Sequence, residues 1–141
     1  MNSKDIAWGL IQSWLGRPYL WGGDDPLLGF DCSGSMLELL HSFGLGPEGD
    51  TSAQGIYNYY KVMATLRPQF GTFAFYGQSL TKINHIAFCL NDYEIFEFGG
   101  GDSKTVTPEF AAAQNAYGRI RPILRRSDCV AFVNPKWPWS K

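Results

Sequence analysis

"GFDCSGS", Gly29 to Ser35, is the stretch on which the rest of the chain turns. An acid, a thiol and small hydroxyl residues stand just ahead of Met36, Leu37, Leu40 and Phe43, which line one helical face until Gly44. The pattern predicts a helix opening at Cys32, with Asp31 at or near its N-cap. A cysteine in that place can be a buried filler, half of a disulfide, a metal ligand or a nucleophile. The chain has three cysteines at irregular spacing and no CxxC, which argues against a zinc cluster or a disulfide framework. Cys89 and Cys129 lie in the apolar runs "HIAFCL" and "DCVAFV" and read as small buried thiols. Cys32 has different neighbours. In the first turn of a helix a thiolate faces the positive end of the macrodipole, an effect worth up to about 2 kcal/mol. Reactive thiolates need more than that, and the usual second source is an imidazolium.

Two histidines could supply it. His41 sits late in the same predicted helix, about two and a half turns beyond Cys32, and reads as a solvated helix-end residue. His85 opens the strand-like run "HIAFCL" and is the one candidate partner. The run "HIAFCLNDYEIFEF" holds two strands joined around Asn91 and Asp92. A loop of three or five residues puts Ala87 opposite Glu97, with His85 on the same face, diagonal to the carboxylate. A two-residue loop reverses the parity and sends Glu97 to the other face. Both registers are open at this level.

Working outward, Ala7, Leu10, Ile11 and Trp14 recur at helical spacing, with Asn2 or Ser3 to cap the start and Gly16 to end it. In "RPYLWGGDDPLLG", Pro18, Gly22, Gly23 and Pro26 predict loop without a regular element. A short helix is expected from Thr51 to about Tyr59. Then the period changes to that of strands: Gly71–Gly77, Ile83–Leu90, Tyr93–Gly99, Lys104–Thr107, Gly118–Leu124 and Asp128–Val133, with a short helix over Pro108–Asn115. Helices first and strands later, joined by short links, predict an α+β fold with a mostly antiparallel sheet of about five to six strands. The tail "NPKWPWSK" reads as a surface extension whose Trp137 and Trp139 lie against the domain.

The bulk properties set limits. A chain of 141 residues with 45% apolar residues is expected to form one domain, 1–141, with an ordinary core. A net charge of −1 gives no electrostatic case for nucleic acid or an anionic membrane. Arg119, Arg121, Arg125 and Arg126 are the nearest thing to a basic patch, and are read as a solvated strand end. No apolar run approaches the roughly 18 residues of a membrane span. The first sixteen residues, with Asp5 and Gln12 among them, do not read as a signal peptide.

Taken in order, these segments resemble the NlpC family of papain-like cell-wall cysteine peptidases. "GRPYLWGG" is similar to that family's G-x-P-Y-x-W-G-G motif, "GFDCSG" to its nucleophile turn, "GTFAFYG" to its central strand and "NHIAFCL" to its base strand; "TSAQ" falls where its short helix follows. The resemblance implies a papain-like α+β fold with the N-terminal helices packed on the sheet. It implies Cys32 as nucleophile and His85 as general base. Tyr19, Asp31 and Ser33 would line the cleft that holds the peptidoglycan stem peptide, the Tyr19 hydroxyl and the Cys32 N–H serving as oxyanion donors. It also implies cleavage of the bond between γ-D-glutamate and a diamino acid, with no cofactor and no metal.

Two departures from the family pattern stand out. The third polar residue, usually His and sometimes Asn or Gln, is Glu97 here, and the usual Gly-Asp ahead of the central strand is Gly71-Thr72, read as a surface change. Glu97 is expected to orient His85 and to hold positive charge on it. The competing readings are an amidase or acyltransferase on another substrate, or a retired peptidase kept as a structural part of a phage tail. Without an export signal, the protein is expected to reach the cell wall or periplasm through a phage particle, a lysis system or secretion machinery.

Overall fold

The computed structural model describes residues 2–25 and 29–140, so Pro26 lies outside the described residues. Helix α1 (Ser3–Trp14) starts with a reciprocal cap: the Asn2 side chain accepts from the Asp5 N–H at 2.9 Å, and the Asp5 carboxylate accepts from the Asn2 N–H. It buries Ala7, Ile11 and Trp14. Two short strands follow, β1 (Asp24–Asp25) and β2 (Gly29–Phe30), paired antiparallel. This ribbon corrects the expectation of pure loop in "RPYLWGGDDPLLG": the glycines let two backbone stretches come close enough to pair. A Cβ on Gly23 would stand 2.7 Å from the Gly29 carbonyl oxygen.

Helix α2 (Cys32–Ser42) has Asp31 as its N-cap and buries Met36, Leu37, Leu39 and Leu40. Helix α3 (Ala53–Tyr60) is capped by Ser52, whose side chain accepts from the Gly55 N–H. Six strands build the main sheet: β3 (Ala64–Thr65), β4 (Phe73–Gly77), β5 (Ile83–Cys89), β6 (Glu94–Gly99), β7 (Tyr117–Pro122) and β8 (Cys129–Val133). Their spatial order is β3-β8-β4-β5-β6-β7, and every neighbouring pair is antiparallel. Helix α4 (Pro108–Ala113) joins β6 to β7, and a 3₁₀ turn, Ile123–Arg125, opens the link from β7 to β8. The fold is α+β, as the order of periodicities implies.

Lys104–Thr107 is not a strand. Asp102 accepts from the Lys104 N–H, the Thr105 hydroxyl accepts from the Asp102 N–H, and Thr105 also bonds Gln114. Side-chain bonds to nearby backbone hold this segment as a turn, and the Thr105 carbonyl accepts from the Trp21 N–H at 2.7 Å instead of from a ladder.

Alternation divides the sheet. Phe73, Phe75, Ile86, Phe88, Phe96 and Phe98 join the helices in the larger core, with Trp14, Phe30, Met36, Leu40 and Tyr57. The opposite face carries a smaller cluster of Ala74, Tyr76, Ala87, Cys89, Ile95 and Ile123. The tail is part of the larger core rather than an extension laid on it. Trp137 is buried and donates its indole N–H to the Gly71 carbonyl at 2.7 Å, and it stacks on Trp139 with 5.0 Å between ring centres. Thr72 is buried too, its hydroxyl bonded to Asn134 at 2.5 Å, which corrects its reading as a surface change. A neutral hydroxyl suits a site closed by the tail, where an unpaired carboxylate would be costly.

Candidate active site

The thiol is placed by local structure. The Asp31 Oδ1 accepts from the Gly34 N–H at 2.7 Å and from the Ser33 hydroxyl at 3.3 Å, while its Oδ2 accepts from the Gly22 N–H at 3.1 Å. One carboxylate thus caps α2 and ties the Tyr19–Gly23 segment to it. The Gly23 carbonyl packs so close to Gly34 that a Cβ there would lie 2.1 Å away. Burial pushes the Asp31 carboxyl up, and the two backbone N–H groups and the Ser33 hydroxyl oppose that push. Cys32, half-buried, is left at the positive end of an eleven-residue helix.

The base side is assembled across the sheet. Strands β5 and β6 pair Phe88 with Phe96 and Cys89 with Ile95, and the Leu90 N–H bonds the Glu94 carbonyl, leaving a three-residue loop, Asn91 to Tyr93. Asn91 sets that loop by accepting from the N–H groups of Tyr93 and Glu94. The odd loop puts Glu97 on the face of His85. The two side chains meet at 2.7 Å, His85 Nε2 to Glu97 Oε1, and both are buried. The imidazole is also close enough to the Cys32 thiol for the thiol to act on its charge. With Nε2 bonded to Glu97, Nδ1 is the ring nitrogen left for sulfur.

The electrostatics follow from these contacts. Burial alone would lower the His85 pKa; hydrogen bonds and charge from Cys32 and Glu97 outweigh it and raise the value to about 9. Burial alone would raise Glu97; bonds from His85 and Arg125 bring it down to about 2. An ionised carboxylate therefore backs an imidazole held in its charged form beside a thiol.

Arg125 went unrecognised at the level of sequence. Its Nε donates to Glu97 Oε2 at 2.5 Å. Nor are its neighbours a solvated strand end: Arg126 holds Asp128 through two bonds and Asn84 through a third, and Arg119 lies over the Tyr117 ring. Four arginines within eight residues look equivalent in a sequence, and only the turn after β7 singles out Arg125. His41 is exposed, with Nε2 2.7 Å from the Pro47 carbonyl, and Cys89 is buried.

A cleft of about 490 Å³ opens on the thiol. Tyr19, Trp21, Asp31 and Ser33 line it together with Asp50, Ser52, Ile83 and Asn84. Burial first, then the nearby negative charge of Cys32, Asp31 and Asp102, pushes the Tyr19 hydroxyl strongly upward, which keeps it a neutral donor. A groove of similar size, about 500 Å³, lies between Trp8, Phe70 and Leu90, but among the described residues no cysteine, serine or histidine lines it. Among the described residues no group of His, Cys, Asp and Glu could hold a metal ion, and no helix is long and apolar enough to cross a membrane.

An α+β fold that sets a helix-capped cysteine against a strand-borne histidine and its buried acid is a papain-like arrangement. The model of the NlpC/P60 family matches residues 16–120, and the chain belongs to that family. Solved structures agree in fold. A NlpC/P60 family protein from Bacillus cereus superposes with a TM-score of 0.71 at 19% identity, over 97% of this chain and 41% of that one. RipB from Mycobacterium tuberculosis, described as a peptidoglycan hydrolase, has a TM-score of 0.64 at 21% identity, covering 96% of this chain and 65% of its own. RipD from the same organism, described as a non-catalytic NlpC/p60 domain adapted to peptidoglycan binding, has a TM-score of 0.70 at 18% identity, covering 95% and 98%. The chain thus spans about two fifths of the Bacillus cereus protein, and identities this low establish fold alone. No curated protein matches the chain.

Proposed function

We propose that residues 1–141 act as one catalytic domain, a peptidoglycan endopeptidase that cuts stem peptides at the bond between γ-D-glutamate and a diamino acid. The observation that carries this reading is the buried His85–Glu97 pair at 2.7 Å, on an imidazole whose pKa the nearby Cys32 thiol and the ionised Glu97 raise. A domain retained only for binding has no need of that pair. The substrate places the work at the cell wall.

In the proposed mechanism the Cys32 thiolate attacks the scissile carbonyl carbon, and the C=O electron pair moves onto oxygen. The Tyr19 hydroxyl and the Cys32 backbone N–H donate to that oxyanion. Collapse breaks the C–N bond as the His85 imidazolium gives its proton to the leaving amine. The neutral imidazole then takes a proton from water, whose oxygen attacks the thioester, and the thiolate leaves. Asp31 and Ser33 line the cleft and hold the peptide. Glu97 orients His85 and stabilises the imidazolium.

Mass spectrometry of purified sacculi digested with the wild type and with Cys32→Ala tests this directly. The wild type is expected to release γ-D-glutamyl-ended fragments and the variant, folded to the same melting temperature, none. Equal release by both would end the thiolate mechanism, and fragments ending elsewhere would reassign the bond.

A further inference from the structure

We propose that Arg125 is a positioning residue that keeps Glu97 ionised and turned toward His85, so that Arg125, Glu97, His85 and Cys32 work as one relay; this rests on the reading of Cys32 and His85 as a reactive pair. Glu97 is fully buried and its two oxygens are divided, Oε1 to His85 Nε2 at 2.7 Å and Oε2 to Arg125 Nε at 2.5 Å. A buried carboxylate with one partner can rotate or take up a proton. Held at both oxygens, it can do neither, and the proton between it and the imidazole stays on Nε2.

Other charged groups are near but do not bond Glu97. Tyr76 lies beside the pair from β4, and Arg126 reaches over the Tyr76 ring while its guanidinium holds Asp128. Arg119 and Arg121 approach from β7, Arg119 directly opposite Glu97 in the ladder and turned onto Tyr117, Arg121 sensing the carboxylate without bonding it. Among the described residues, Arg125 is the one arginine that bonds Glu97, beside the His85 imidazole. The chain also keeps space for the contact: a Cβ on Gly99 would stand 3.2 Å from Glu97 Oε2 and 3.3 Å from Arg125 Nη2.

The consequence is a dependence on acidity that a merely structural arginine would lack. Glu97 is held at about 2, so it stays charged throughout the range in which the pair operates. Without Arg125, burial is opposed by a hydrogen bond from His85 alone, helped only by the more distant charge of Arg121 and Arg126, and Glu97 takes up its proton at higher pH. The imidazolium then loses its support on the acid side and the thiolate becomes scarce. The readout is the rate of Cys32 alkylation by iodoacetamide as a function of pH, with the labelled cysteine located by mass spectrometry. Glu97 has to be carried from about 2 to about 5 or above for its protonation to be felt at pH 5, so Arg125→Met is expected to slow labelling by up to about tenfold at pH 5 and by less than about threefold at pH 8. Arg125→Lys, which keeps the charge, is expected to stay within about threefold of wild type at both values.

A loss in Arg125→Met that is equal at the two pH values, no loss at all, or the same loss in Arg125→Lys would overturn the proposal. Thermal melting establishes that each variant is folded. Should Arg125→Met not fold, Gly99→Ala crowds the same contact and is expected to give a smaller acid-selective loss, about two- to threefold; a pH-independent effect there would equally overturn it. Labelling does not require turnover. A wild type that releases nothing from sacculi would defeat the hydrolase reading, while the alkylation profile would still decide the part played by Arg125.

Discussion

The two walls of the site, one holding the nucleophile and one the base, are built in opposite ways. On the nucleophile's side nearly every contact is local: Asp31 reaches Gly22, Ser33 and Gly34, and the Ser35 hydroxyl bonds the Cys32 carbonyl, all within nine residues. On the base's side the partners come from β5, β6 and the turn after β7, twelve and then twenty-eight residues apart. The first wall is a helix start reinforced by a neighbouring loop. The second is a set of buried charges that exists only when three segments of the sheet are in register. A local wall should lose stability in small steps when altered, whereas the charged wall should fail in large ones.

The largest effect is expected at the centre of the charged wall. His85→Ala removes the group that both sustains the thiolate and carries the proton, and kcat on muropeptide should fall by about 10²–10⁴. Residual activity within tenfold of wild type would mean that the two walls do not work together.

Glu97→Gln comes next. It leaves Arg125 facing a neutral amide in a buried site, with an expected loss of about 3 kcal/mol in denaturant unfolding. The sign of the pH effect is set by the shifts. Glu97 is lowered in the folded protein, so its contribution is present above its free value of 4.5 and is lost as pH falls toward 2. His85 is raised, and loses its proton as pH climbs toward 9. Glu97→Gln should therefore flatten the acid side of a stability–pH profile and bring the alkaline limb of activity down by about one unit. Unchanged profiles would show that the carboxylate is a bystander.

The smallest change belongs to the local wall. Asp31→Ala should cost about 1–2 kcal/mol, chiefly through the lost cap, and Asp31→Asn less, since an amide oxygen can still accept from the Gly34 N–H. Melting curves with turnover measured well below the transition would check this. If Asp31→Ala cost as much as Glu97→Gln, the contrast between the walls would be false.

Much of this was legible before folding. The helix from Cys32, its Asp31 cap and the α+β order of elements follow from spacing, because periodicity and caps are properties of a few adjacent residues. The parity of the β5–β6 hairpin was not, since one residue of loop length decides which face Glu97 takes, and Asn91 settles it through two backbone bonds. Thr72 looked like a surface position because its partner, Asn134, lies sixty-two residues away. Lys104–Thr107 alternates like a strand, yet side-chain bonds to its own backbone hold it as a turn. Arg125 carried no signal to separate it from three nearby arginines.

By itself the sequence determined most of the elements, the placement of a thiol at a helix start and the family motifs, all of which depend on interactions a few residues long. Only the tertiary structure decided that Glu97 faces His85, that Arg125 completes the line and that the tryptophan tail enters the core. The reason is physical: a buried charge is tolerated only beside its partner, and these partners become neighbours through the register of the sheet and not through the chain.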